Sequence, residues 1–361
     1  MPPLLLHAFP TFDAGGAQTR FVTIANHFGE RLRHLVIAMD GRTGCAAQIA
    51  PEVVWSSVDA GVRKETHTGN LLNFRRILRN VGPALLVTHN WGTMEWAAAR
   101  VGTAIRHIHI EDGFGPDEAH GQHRRRILAR RMLLARSTVV VPSRTLERIS
   151  RETWRIPSGN IRFIPNGIDV KRFERHDEVV NPVPLIGTVS ALRAEKNLPR
   201  LLHVFAHVSR GIPCRLKIVG DGPERQTLER LSRELGIAAL VDFAGHVSDP
   251  SRLYGEFDIF ALTSDTEQMP YTVLEAMAAS CAIVATDVGD VSRMVAVENR
   301  SFVVAPDIQA VSDALIGLLE RPSLRRTIGV ANHQKVVQEY SQERMFRAFA
   351  GVYDLPGLAG V

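Results

Sequence analysis

Cysteine is scarce in this sequence. The three present, Cys45, Cys214 and Cys281, are scattered without the spacing of a metal site. They imply no disulfide framework, and a reducing compartment fits them. Long apolar runs are also missing, so no stretch reaches the roughly 20 residues of a membrane span. Residues 1–10 lack a basic flank and are too short for a signal peptide, so a cytoplasmic location is expected, at most peripheral on the inner face of the cytoplasmic membrane. The dinucleotide fingerprint Gly-x-Gly-x-x-Gly does not follow the first strand, and no internal repeat, low-complexity tract or nucleic-acid motif is evident. Neither a Ser-His-Asp arrangement nor a convincing Asp-x-Asp can be located, so neither a bound metal nor any other cofactor is expected.

What is present describes an ordinary globular α/β chain. The 361 residues are 45% hydrophobic and 22% charged, too long for one typical core, so two domains are expected. A net charge of +5 points to an acidic partner: phosphate groups, anionic lipid or nucleic acid. Buried-type strands at 4–9, 35–39, 53–58, 84–89, 105–110 and 138–141 alternate with helical stretches. Between the first strand and helix stands the pair Gly15-Gly16, which is either a tight turn or a loop that lets a ligand approach the backbone. The strands at 84–89 and 105–110 end in polar residues, at the edge where open α/β sheets place ligands. His107 and His109 would point to one face of their strand, either as satisfied core-edge histidines or as site groups, and Glu111 and Asp112 follow them. Residues 120–136 interleave Arg124, Arg125, Arg126, Arg130, Arg131 and Arg136 with apolar residues. That helix is either a solvated domain helix or one that lies on an anionic membrane. A polar, Pro-containing segment at 174–184 reads as a linker, separating domains at 1–175 and 182–340; 341–361 forms a last helix.

The chain is organised around residues 257–279. An apolar strand, Phe257-Asp258-Ile259-Phe260-Ala261-Leu262, leads into the polar loop Thr263-Ser264-Asp265-Thr266-Glu267-Gln268-Met269 and then a helix opened by Pro270, whose missing N–H costs nothing in the first turn. The free N–H groups of such a helix start suit a phosphate, and two carboxylates, Glu267 in the loop and Glu275 a turn inside the helix, can accept sugar hydroxyls. Two Glu with seven residues between them, flanked by Ser-Asp-Thr-Glu-Gln-Met-Pro and Leu-Glu-Ala-Met-Ala, resemble the signature of the retaining, nucleotide-sugar-dependent glycosyltransferases of the GT-B fold, the family-four or group 1 class. Pro165-Asn166-Gly167-Ile168-Asp169, Arg193-Ala194-Glu195-Lys196-Asn197 and Val219-Gly220-Asp221-Gly222-Pro223 resemble further motifs of that class.

The resemblance implies two Rossmann-like domains with parallel sheets facing a central cleft, and a final helix that crosses back onto the first domain. It implies that Lys196 binds donor phosphates, with Arg193 in place of an arginine that relatives carry where this chain has Ala191. Glu275 would hold the nucleotide ribose and Glu267 the transferred sugar, with Met269, Pro270, Tyr271 and Thr272 around the diphosphate. Gly15 and Gly16 would cover the phosphates, while Gly220 and Val247 would line the nucleotide pocket. Asp112 takes the place of a histidine and, with His109, lies where relatives carry residues near the reacting sugar; Ser280 takes the place of a glycine. The implied reaction moves a hexose from a nucleotide sugar, UDP-linked sooner than GDP-linked, to a lipid-linked or cell-surface glycan with retention of configuration and no metal. The alternatives are a nucleotide-sugar epimerase of similar fold and a non-catalytic nucleotide-sugar binder.

Overall fold

The computed structural model describes residues 1–62, 67–114, 118, 121–175 and 181–358. His120, at the start of the expected Arg-rich helix, and 176–180 of the expected linker fall outside them. The chain forms two compact units, one of Met1–Pro165 with Met345–Val361 and one of Asn166–Arg344.

The first unit holds a seven-stranded sheet in the order β3-β2-β1-β4-β5-β6-β7. Its strands are β1 (Leu4–Phe9), β2 (Arg33–Ala38), β3 (Val54–Ser57), β4 (Leu85–His89), β5 (Arg106–Ile110), β6 (Thr138–Val141) and β7 (Ile161–Phe163). All pairings are parallel. Both faces are covered, which is why the strands read as continuous apolar runs: successive residues Leu5 and Leu6 enter clusters on opposite faces. One of those clusters takes in Met345, Phe346, Phe349 and Tyr353 of the last helix (Gln342–Tyr353), and Phe346 stacks on His27 at 3.8 Å. The Arg106 guanidinium donates to the Tyr353 carbonyl at 3.0 Å, fixing the returning chain end.

The second unit holds a six-stranded parallel sheet in the order β10-β9-β8-β11-β12-β13. Its strands are β8 (Leu185–Val189), β9 (Arg215–Val219), β10 (Val241–Gly245), β11 (Ile259–Leu262), β12 (Ala282–Thr286) and β13 (Val303–Val304). Ile259 and Ala261 face one cluster while Phe260 and Leu262 face the other, the period-two alternation of a strand buried on both sides. The order of strands reverses between β8 and β11, so the loops leaving their carboxyl ends diverge there and leave room for a ligand.

The second unit begins at Asn166, earlier than the boundary after 175 read from composition. Asn166 Nδ2 donates to the Met269 carbonyl at 2.8 Å, and Asp169 caps the short helix Val170–Phe173, whose Phe173 packs into the core beside Tyr254. The Pro-Asn-Gly-Ile-Asp segment therefore ends in the second unit rather than simply closing the first.

Ser280, which takes the place of a glycine, adopts φ +57°, in the left-handed region. A non-glycine residue there costs on the order of 1–2 kcal/mol, partly offset by the smaller chain entropy it loses on folding. Ser280→Gly is expected to stabilise the protein by up to about 1 kcal/mol, read as a higher urea midpoint with unchanged slope. An unchanged or lower midpoint would mean that the serine is accommodated without strain.

Candidate functional site

The loop after β8 and the loop after β11 are joined by side chains in the second unit. Asn197, in a left-handed conformation that Asn tolerates, caps the helix Leu198–Val208 and donates to both oxygens of Asp265 at 3.1 and 3.0 Å. Arg200 bridges the Thr263 carbonyl and Asp265. The Asp265 N–H donates to the Glu195 carbonyl at 2.9 Å.

This closure brings Lys196 and Glu267 together. Lys196 Nζ lies 2.5 Å from Glu267 Oε1, and the Ser264 hydroxyl donates to the same oxygen at 2.8 Å. Thr286 in turn holds the Ser264 carbonyl at 2.6 Å. The Lys196 side chain keeps 25% of its surface exposed and that of Glu267 10%, so the pair is sheltered but reachable. Gly289, at φ +59°, packs beneath the Glu267 loop. A Cβ there would stand 2.3 Å from the Glu267 carbonyl oxygen, so only glycine admits this approach.

The helix Tyr271–Ala278 starts directly after this loop, with Pro270 before it and no side-chain cap, so the positive end of its dipole stands where the loop that carries Glu267 ends. Met269 is buried and its carbonyl is held by Asn166. One turn into the helix, Glu275 accepts a hydrogen bond of 2.5 Å from the hydroxyl of fully buried Tyr254. Burial pushes the Glu275 carboxyl above its ordinary range, and the Tyr254 bond opposes that shift. Gly220, at φ +135°, lies against the loop that carries Lys196: a Cβ would come within 1.8 Å of the Ser190 carbonyl oxygen, and its N–H donates to Gly245. Val247, just beyond β10, is half-buried against the core cluster behind the Tyr271–Ala278 helix. Arg193 is exposed on the β8 loop.

Gly15, Gly16, His109 and Asp112 belong to the first unit. The two glycines are exposed and lead into the helix Gly16–Phe28. Buried Arg20, one turn along that helix, pairs with Asp112, and Asn90 Oδ1 accepts the Asp112 N–H at 2.7 Å. Burial raises the Asp112 carboxyl above its ordinary range, while Arg20 pulls it back. His107 and His109 do share a face: the Thr88 hydroxyl lies 2.8 Å from Nε2 of one and Nδ1 of the other, and His107 also reaches Ser137 at 2.7 Å. Glu111 is fully buried and paired with Arg130, which also holds Glu118. Glu111 and Arg130, which the sequence offered as a site candidate and a surface arginine, therefore form a buried ion-pair network.

No sequence signal pointed to Tyr254 as the partner of Glu275, to Arg20 as the partner of Asp112 or to Asn166 as the support of Met269. Only the polar ends of the strands at 84–89 and 105–110 hinted at Thr88.

Residues 14–172 match the model of Glycosyltransferase Family 4, and residues 170–335 match that of Glycosyl transferases group 1. The chain is 24% identical over 206 residues to the N-acetyl-alpha-D-glucosaminyl L-malate synthase of Bacillus anthracis, covering 55% of this chain and 54% of that protein. It is 26% identical over 208 residues to the lipopolysaccharide core biosynthesis glycosyltransferase LpsE of Rhizobium meliloti, covering 56% and 59%. These matches take in little more than half the length of the curated relatives. Among solved structures, Anabaena HepE in complex with UDP superposes with a TM-score of 0.82 at 17% identity, over 98% of this chain and 100% of that one.

Four buried histidines add a pH dependence. Burial holds His7, His89 and His107 well below the usual imidazole range and lowers His34 to about 4. They stay neutral in the fold while the unfolded chain takes up protons below pH about 6.5. Stability is therefore full above pH 6.5 and is lost as the pH falls from 6.5 toward 4, by about 1.4 kcal/mol per pH unit for each histidine kept neutral. Asp112 and Glu275, shifted upward, offset part of this at the acid end. Urea titrations between pH 7.5 and 5 should show the loss; a flat profile would contradict the neutral cluster.

Proposed function

We propose that this chain, which belongs to the group 1 and family-four glycosyltransferases of the GT-B fold, moves a hexose from a nucleotide diphosphate sugar to a lipid-linked or cell-surface glycan acceptor with retention of configuration. The observation that carries this reading is the Lys196–Glu267 pair at the start of the Tyr271–Ala278 helix, with Glu275 one turn inside. A diphosphate placed at that helix start meets the positive end of the helix dipole and a lysine cation. Both stabilise charge as it develops on the leaving group, the interaction that accelerates the chemical step. Glu267 then accepts hydrogen bonds from the transferred sugar and Glu275 from the ribose. Attack by the acceptor hydroxyl from the leaving-group side retains the anomeric configuration, and the cation and helix dipole serve without a metal. A UDP-linked donor is favoured over a GDP-linked one because the related fold of HepE is known in complex with UDP.

The acceptor reading draws on the helix Arg124–Leu134. Arg126 and Arg130 turn inward to Glu118 and Glu111, while Arg124, Arg125 and Arg131 are exposed together with Leu128 and Met132. Arginines interleaved with large apolar side chains on one open stripe suit an anionic membrane surface. Among the described residues no helix is long and apolar enough to cross a membrane.

The test is release of nucleoside diphosphate from UDP- and GDP-sugars, with and without lipid extract or anionic liposomes. UDP release that rises with lipid is expected. Conversion of the donor to an isomeric sugar without acceptor would make the protein an epimerase, and binding without release would make it a silent binder.

A further inference from the structure

A cavity of about 400 Å³ opens at the carboxyl edge of the first unit's sheet. Its walls are the side chains of Met39, Trp91, Met94, Ala98, Ala129 and Leu133, with Glu95 and buried Asn70 at one end. Met39 follows β2 and Trp91 follows β4, so the cavity sits beside the β1/β4 reversal of strand order, the position where open α/β sheets bind ligands. Arg126 and Arg130 lie over the Trp91 ring at 5.1 and 5.0 Å and hold it in place. Asn70 Nδ2 donates to Glu95 Oε2 at 3.3 Å, which orients the carboxylate.

Resting on the transferase reading, we infer that this cavity is the subsite for the apolar aglycone of the acceptor, an alkyl or isoprenoid chain, with Glu95 accepting from the first hydroxyls at its polar end. The wall chemistry selects this occupant. A free sugar carries hydroxyls all round, and six apolar walls would leave most of them unpaired. A hydrocarbon chain loses nothing on entering and removes its surface from water. Leu128 and Met132 are 54% and 63% exposed on the same helix as the wall residues Ala129 and Leu133, so that helix carries apolar side chains both to the cavity and to the open stripe.

Calorimetry with methyl, hexyl and octyl β-D-glucosides, each below its micelle-forming concentration, tests the assignment on the full chain. In the wild type affinity should rise with chain length, by about fourfold per methylene that the cavity holds. Ala98→Leu and Ala129→Leu, on two different helices, should each lower octyl glucoside affinity tenfold or more while leaving methyl glucoside and UDP binding unchanged. Chain-length independence in the wild type, or an octyl affinity untouched by either folded variant, overturns the subsite while UDP binding keeps the transferase reading intact. Absence of both UDP and GDP binding by the wild type, even with chain-length dependence retained, overturns the transferase reading and with it the assignment of the cavity to an acceptor.

Discussion

The candidate site depends on one constraint: the loops after β8 and β11 must close on each other at the point where the sheet order reverses. Asn197, Arg200 and Asp265 make that closure, and it leaves Lys196 and Glu267 facing each other across 2.5 Å. A sheltered ion pair of this kind is weak evidence for stability, because the cost of taking two charges from water offsets their attraction. Its value lies in preorganisation. In the proposed reaction a cation held beside the helix N-terminus is ready for a diphosphate, and the carboxylate it releases is ready for a sugar.

Rigid supports surround this pair on several sides. Gly289 lets the Glu267 loop pack closely, Asn166 holds Met269, and Tyr254 fixes Glu275 from within the core. None of these partners binds the donor in the proposed reaction. Each removes freedom from a residue that does, so less order has to be imposed when the ligand arrives.

The α/β class and the strand-loop-helix at 257–279 that carries Glu267 and Glu275 were legible in the sequence because each rests on local signals: apolar runs, Gly and Pro punctuation, and a short spacing within one loop and helix. Lys196 was singled out only through the family resemblance. The partners of these residues were not legible. Asn166 reaches Met269 across 103 positions and Arg20 reaches Asp112 across 92, separations at which no periodicity links the residues. The Arg-rich helix shows the same limit. Its charge was plain, but which arginines turn inward depends on Glu111 and Glu118, and the exposed stripe emerges only once Arg126 and Arg130 are assigned to them. The domain boundary was read too late for a related reason, since a polar linker composition at 174–184 says nothing of the hydrogen bond that commits Asn166 to the second unit.

The central claim is that in the proposed reaction Lys196 serves the donor phosphates and Glu267 the sugar, each leaving the other for its ligand. Calorimetric UDP affinity of Lys196→Ala, Glu267→Gln and the double variant tests it most directly. The account predicts that Lys196→Ala weakens UDP binding about tenfold or more, a loss of roughly 1.5–3 kcal/mol for a charged hydrogen bond. Glu267→Gln should leave UDP binding unchanged or tighter, because the lysine no longer has to leave a carboxylate, while abolishing turnover of the UDP-sugar. Equal losses of UDP affinity in both single variants, with no further loss in the double, would make the pair a structural brace and contradict the account.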